Sequence, residues 1–193
     1  MLNDLFGIIH VWFDSMPHLK KTILYCLLLI LSSLIHAQSV AFKNISTQDG
    51  LPQSDVFDAV QDDIGYIWFA TQGSGIAKYD GKEFSVYNLN NGLLSNFTNG
   101  LFIKNDSLFI ATNKGLSILY KEKFSNYDSP KINSVQQLNG NIYLATQQGI
   151  YTFNKDYISP IKINLKIDVN DIKRVDYFAA YYWIQTQNQL WKT

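Results

Sequence analysis

The sequence predicts an all-β fold: a β-propeller of four-stranded antiparallel blades, about three of them complete and a fourth in part, in an incomplete ring. Three observations predict it. Short aromatic and β-branched runs end in threonine at Thr71, Thr112, Thr146 and Thr186, spaced 41, 34 and 40 residues apart. Self-similarity at about 40 residues, built of short strands, marks a repeat architecture. Glycine follows the first three runs at Gly75, Gly115 and Gly149, where the tight turn needs a positive φ. Four strand-like runs fill each period, and four antiparallel strands per repeat is the propeller pattern. A right-handed β-solenoid is the structural alternative, although its coils are usually shorter.

The elements follow in chain order. Residues 1–15 carry Asp4 and Asp14 but no base and read as an extension from an upstream start site. Residues 16–37 read as a signal peptide: Lys20-Lys21, an apolar run over residues 22–35, then the small residue Ala37. Cleavage is expected after Ala37, with Ser39 as second choice. The run falls short of the roughly 20 residues of a membrane-spanning helix; an uncleaved N-terminal anchor is the alternative.

Residues 38–193 are the partial propeller. Phe42-x-x-Ile45 precedes Gly50-Leu51 at the same distance as Phe84-x-x-Tyr87 precedes Gly92-Leu93. Residues 40–46 are therefore expected to be a fourth (D) strand that closes the last blade of the ring. Blade one is expected over residues 54–88, with strands at 56–61, 66–71, 76–79 and 84–87. Blade two spans 96–128, with strands at 100–104, 108–112, 116–120 and 124–127. Blade three spans 131–165, with strands at 134–137, 142–146, 150–153 and 157–163. A partial blade four spans 169–193, with strands at 171–175 and 182–186 and the start of a third at Leu190-Trp191. Asp62-Asp63-Ile64-Gly65, Asn105-Asp106-Ser107 and Asn139-Gly140-Asn141 supply the first hairpin turns, Asn-Gly being among the strongest hairpin signals. In the fourth copy Gln189 replaces the turn glycine.

Composition excludes several functions. The 193 residues balance 16 basic against 16 acidic side chains, and 14 of each remain beyond residue 37. No Lys/Arg run could track a phosphate backbone, so nucleic acid is not an expected partner. His10, His18, His36 and the single cysteine, Cys26, all precede Gln38. The rest of the chain has no Ser-His-Asp or Cys-His nucleophile, no thiolate or imidazole metal site and no disulfide. No cofactor or metal is expected.

Asp49-Gly50-Leu51-Pro52-Gln53-Ser54, Val60-Gln61-Asp62, the run from Gly65 to Thr71, and Gly75-Ile76-Ala77-Lys78-Tyr79-Asp80-Gly81 resemble the two-component regulator propeller repeat. That repeat occurs in the periplasmic sensor region of bacterial hybrid histidine kinases. The resemblance is strong over residues 42–88 and weaker through Asp128 and Phe153. It implies an extracytoplasmic sensing segment, exported to the periplasmic side of an inner membrane. Its partners would be the remaining blades and the downstream signalling domains, with a homodimer in the parent protein. It also implies glycan fragments as ligands. No kinase core lies in this chain, so the segment itself is not expected to be an enzyme. A secreted propeller lyase or hydrolase and a plain interaction scaffold are the alternatives.

In a propeller the second-to-third-strand turns share a face with the loops between blades. Gln72, Asn113, Gln147 and Gln187 on the turns, and Gln53, Ser54, Ser95 and Asn96 on the loops, would then form a rim of amides and hydroxyls. Such a rim can pair with sugar hydroxyls; the same residue types also simply make good turns. Trp68, Trp183, Tyr66, Tyr181 and Tyr182 could stack on sugars, but on second strands they more readily pack blade against blade. Asp62 and Asp63 lack the oxygen spacing of a calcium loop and read as a hairpin turn. Nothing singles out a pair of carboxylates for glycoside hydrolysis.

Overall fold

The computed structural model describes residues 18–33, 43–162, 172–178 and 181–192. The chain divides into two units, 1–44 and 45–193. In the first, helix α1 (His18–Ser33) covers most of the apolar leader. Among the described residues no helix is long and apolar enough to cross a membrane. The expected cleavage point lies outside the described residues, as do residues 1–17.

The second unit is built of strands. Sheet one runs β1 (Val56–Gln61), β2 (Ile67–Thr71), β3 (Ile76–Tyr79), β4 (Phe84–Tyr87). Sheet two runs β5 (Thr98–Lys104), β6 (Ser107–Thr112), β7 (Gly115–Tyr120), β8 (Lys123–Asp128). Sheet three runs β9 (Ile132–Leu138), β10 (Asn141–Thr146), β11 (Gly149–Asn154), β12 (Tyr157–Pro160). Sheet four holds β13 (Arg174–Phe178), β14 (Tyr181–Gln185), β15 (Leu190–Lys192). Each sheet pairs its strands in sequence order, and every pairing is antiparallel. Successive first strands β1, β5, β9 and β13 lie side by side. These are propeller blades in an unclosed ring, and the sequential sheets rule out the solenoid.

Alternation of side chains packs the blades. Trp68, Ala70 and Ile76 of sheet one meet Leu101, Leu108, Ile110 and Leu119 of sheet two. Phe109, Ala111 and Leu116, on the other face of sheet two, meet Ile132, Val135, Ile142 and Leu144. Leu138, Ala145 and Ile150 meet Ile172, Val175 and Ile184. Fully burying an Ile or Leu contributes about 1.5–3 kcal/mol, so each interface is a small hydrophobic core. Trp68 thus packs between blades, as its second-strand position predicts.

Strand ends shift modestly from expectation. The first strand of sheet four is Arg174–Phe178, against an expected 171–175. Ile172 is fully buried and its N–H donates to Thr146 O (2.9 Å), so the preceding residues tie blade four to blade three before the ladder starts. β12 ends at Pro160, which tolerates its missing N–H because β12 is the outermost strand.

Residues 43–46 form no strand here, and residues 40–42 of the expected closing strand lie outside the described residues. The loop after them repeats the loop after β4. Ser46 caps a 3-10 turn Thr47–Asp49 with a reciprocal capping box, followed by left-handed Gly50 and buried Leu51. Asn88 caps Leu89–Asn91 in the same way, followed by left-handed Gly92 and buried Leu93.

Candidate functional site

Each second-to-third-strand turn is held by its repeated threonine. The buried hydroxyls of Thr71, Thr112 and Thr146 donate to the carbonyls of Gly75, Gly115 and Gly149 at 2.7, 2.8 and 2.8 Å. All three glycines take the expected positive φ. A Cβ on Gly75 or Gly115 would also overlap the carbonyl oxygen of Tyr87 or Tyr127. In blade four Thr186 reaches Gln189 O at 3.3 Å.

These turns meet the interblade loops, as expected for a shared face. Gly73 N and Gly75 N donate to Asn96 O (3.1 and 2.8 Å), and Gln72 N donates to Asp55 O (3.1 Å). Asn113 N and Gln147 N donate to Phe97 O and Lys131 O. Gln72, Gln147 and Gln187 are exposed, as is Ser54, and Gln53 is half-buried beside Ser74. Four rim residues have structural partners, Gln53 among them through Ser74 Oγ (3.5 Å). Ser95 is buried and its hydroxyl accepts from Phe97 N (3.1 Å). Asn96 Oδ1 accepts from Leu89 N (2.9 Å). Asn113 Oδ1 accepts from Asn99 Nδ2 (3.0 Å).

The opposite face carries features the sequence did not disclose. Tyr87 OH of blade one donates to Glu122 Oε2 in a blade-two turn (2.8 Å), and Tyr127 OH donates to Asp156 Oδ1 in a blade-three turn (2.9 Å). Burial, with the Glu122 carboxylate next, pushes the Tyr87 hydroxyl up to about 12. Burial and Asp156 likewise raise that of Tyr127. Lys78, paired across the ladder with Trp68, places its ammonium 4.1 Å from the Tyr66 ring centre and 5.3 Å from that of Trp68. Lys192 repeats this in blade four over Tyr181 (3.7 Å) and Trp183 (5.6 Å). An aromatic two residues before a second-strand Trp, with Lys opposite, is a signal that sequence could have offered. Asp62 serves its hairpin turn, accepting from the backbone N–H of Ile64, Gly65 and Tyr66 and from Trp68 Nε1.

No protein-family model matches the sequence. A 49-residue stretch is 45% identical to Histidine kinase P4 of Formosa agariphila, covering 25% of this chain and 4% of that protein. Solved structures share the fold, among them the following three. The extracellular domain of BT4673 from B. thetaiotaomicron, assigned to a hybrid two component system, superposes with a TM-score of 0.63 at 19% identity, over 74% of this chain and 20% of that one. That of BT3049, assigned likewise, gives 0.56 at 17% identity, over 78% and 30%. Virginiamycin B lyase from Staphylococcus aureus gives 0.58 at 15% identity, over 72% and 52%. The chain spans well under two thirds of each of these proteins.

Proposed function

We propose that this chain is the extracytoplasmic input segment of a two-component regulator and that it senses glycan fragments. One observation carries the sensor reading: a stretch 45% identical to a histidine kinase lies in a chain whose blades superpose on extracellular domains of hybrid two component systems. The exposed amides Gln72, Gln147 and Gln187 with Ser54 and Gln53 supply donors and acceptors for sugar hydroxyls. A ligand that binds one arrangement of the blades better shifts the population toward it, and downstream domains of the parent protein would read that shift across the membrane. Export by the leader places the blades on the periplasmic side, and homodimerisation of the parent protein is part of this reading.

A propeller lyase is the second reading, favoured by the likeness to virginiamycin B lyase. The two readings part on turnover. Isothermal titration of the chain against neutral and acidic oligosaccharides, with chromatography of the mixtures afterwards, should give saturable heat and unchanged saccharides. Product at enzyme-like rates replaces sensing with catalysis, and no heat with any saccharide overturns glycan sensing.

A further inference from the structure

Two clefts of the same construction open between blades on the face opposite the amide rim. The first, about 180 Å³, lies between blades one and two. The second, about 320 Å³, lies between blades two and three. The ladders make them equivalent. Phe109 floors the second cleft where Trp68 floors the first, since Trp68 pairs with Val60 and Phe109 with Phe102 at matching steps from the bulged strand starts. Leu108 and Leu119 of the first cleft correspond to Ile142 and Phe153 of the second.

Their charge differs. Four carboxylates, of Asp62, Asp63, Asp106 and Glu122, line the first cleft against Lys78 and Lys121. The second cleft is lined by Lys104, Lys155, three asparagines and Ser107 and, among the described residues, by no carboxylate. Two acids, Asp106 and Asp156, sit in the turns beside it but outside its lining. Asn105 and Asp106 form one two-residue turn, with Asn105 on the second cleft and Asp106 on the first. Lys155 and Asp156 form another, in which Asp156 accepts from Tyr127.

The second rim is also preorganised. Asn105, Asp106, Asn139, Gly140, Lys155 and Asp156 all hold positive φ, the conformation of tight two-residue hairpin turns. Lys104 Nζ donates to Gly140 O (3.3 Å), joining the rims of blades two and three. A rim fixed before binding has less entropy to lose when a ligand arrives.

Resting on the glycan reading above, we propose that the cleft between blades two and three binds the anionic unit of an acidic saccharide, a uronate or a sulfate-ester sugar. The ammonium groups of Lys104 and Lys155 pair with the anion, since charge-assisted hydrogen bonds are the strong ones. Asn105, Asn141 and Asn154 each offer a donor and an acceptor to hydroxyls, above a floor of Phe109 and Phe153. The first cleft, with its excess of carboxylates, repels the same ligand.

The test is calorimetric titration of the full chain with trigalacturonate, a sulfated trisaccharide, a neutral trisaccharide and sodium sulfate. At least one acidic saccharide should bind saturably, and more weakly as salt rises. The double variant Lys104→Gln, Lys155→Gln should weaken that binding at least tenfold. Asn154→Asp, which leaves both lysines in place, should weaken it too, and Asp63→Asn in the first cleft should not. Circular dichroism confirms that each variant is folded. Unchanged acidic-saccharide binding in the double variant overturns the proposal, as does sodium sulfate competing at the same concentration. If a neutral saccharide binds and no acidic one does, the proposal falls and glycan sensing stands. If no saccharide binds, both fall.

Discussion

Thr112 sits at zero exposure with its hydroxyl used twice, donating to Gly115 O and accepting from Lys114 N. Thr146 repeats the pair with Gly149 O and Gln148 N. Valine keeps the shape and strands these backbone groups, and an unsatisfied buried polar group costs about 1–3 kcal/mol. Thr112→Val should therefore lower stability by about that amount in urea denaturation. Thr186→Val, at a half-buried site where the hydroxyl's two bonds to Gln189 are longer (3.3 and 3.2 Å), should cost less than about 1 kcal/mol. The glycines give a second contrast. Gly115 has φ +139 and no room for a Cβ, whereas buried Gly149 has φ +118 and, among the described residues, nothing within 4 Å of where its Cβ would lie. Gly115→Ala should cost more than about 3 kcal/mol, because backbone must move. Gly149→Ala should cost at least the left-handed penalty of about 1–2 kcal/mol. Thr and Gly were legible in the sequence because each acts within its own hairpin.

At the scale of the element, what holds one blade to the next was less legible. The first strands of sheets one, two and three start with a register shift, at Val56/Asp58, at Thr98/Gly100 and opposite Ala145/Thr146. A bulge re-aims the extra residue. In blades two and three that residue is Asn99 or Asn133, whose amide donates to the carbonyl of Ile132 (2.7 Å) or Ile172 (2.8 Å) in the next blade. Blade one has exposed Phe57 there, and Asp58 reaches across to Leu101 N instead (2.8 Å). No periodicity reveals a one-residue bulge, so these clasps were invisible in the sequence. The Tyr87–Glu122 tie links the same blades with a pH signature. The Tyr87 hydroxyl is raised from 10.0 to about 12, so the neutral phenol is favoured by the fold. Its contribution is complete below pH 10 and is lost as pH rises through about 12. Tyrosinate absorbance should show a late transition near pH 12 that Tyr87→Phe removes; an unchanged titration curve would show that Tyr87 ionises with the ordinary tyrosines.

For the whole molecule, the repeat and its blade order were readable because every blade carries the same strand and turn pattern. The two clefts were not, since each joins turns from two blades and depends on which half of a turn faces which side. The unclosed ring has an energetic consequence at blade one. Leu108 and Ile110 of blade two are 4% and 0% exposed against blade one. Their counterparts Ile67 and Phe69 are only half-buried, and Phe57 is 54% exposed. Leu51 is 7% exposed, and Gly50 before it lies beside Phe84 of blade one as Gly92 lies beside Phe124 of blade two. The repeated loop is the observation behind the expected closing strand, although residues 43–46 form no strand here. Uncovered strand edges and apolar faces favour association. Light scattering coupled to size exclusion, with thermal unfolding of the same samples, tests this most directly. The account predicts concentration-dependent association of the isolated chain and a broad, low-temperature transition. A monodisperse monomer with one sharp, cooperative transition would contradict it and show that the ring closes on itself.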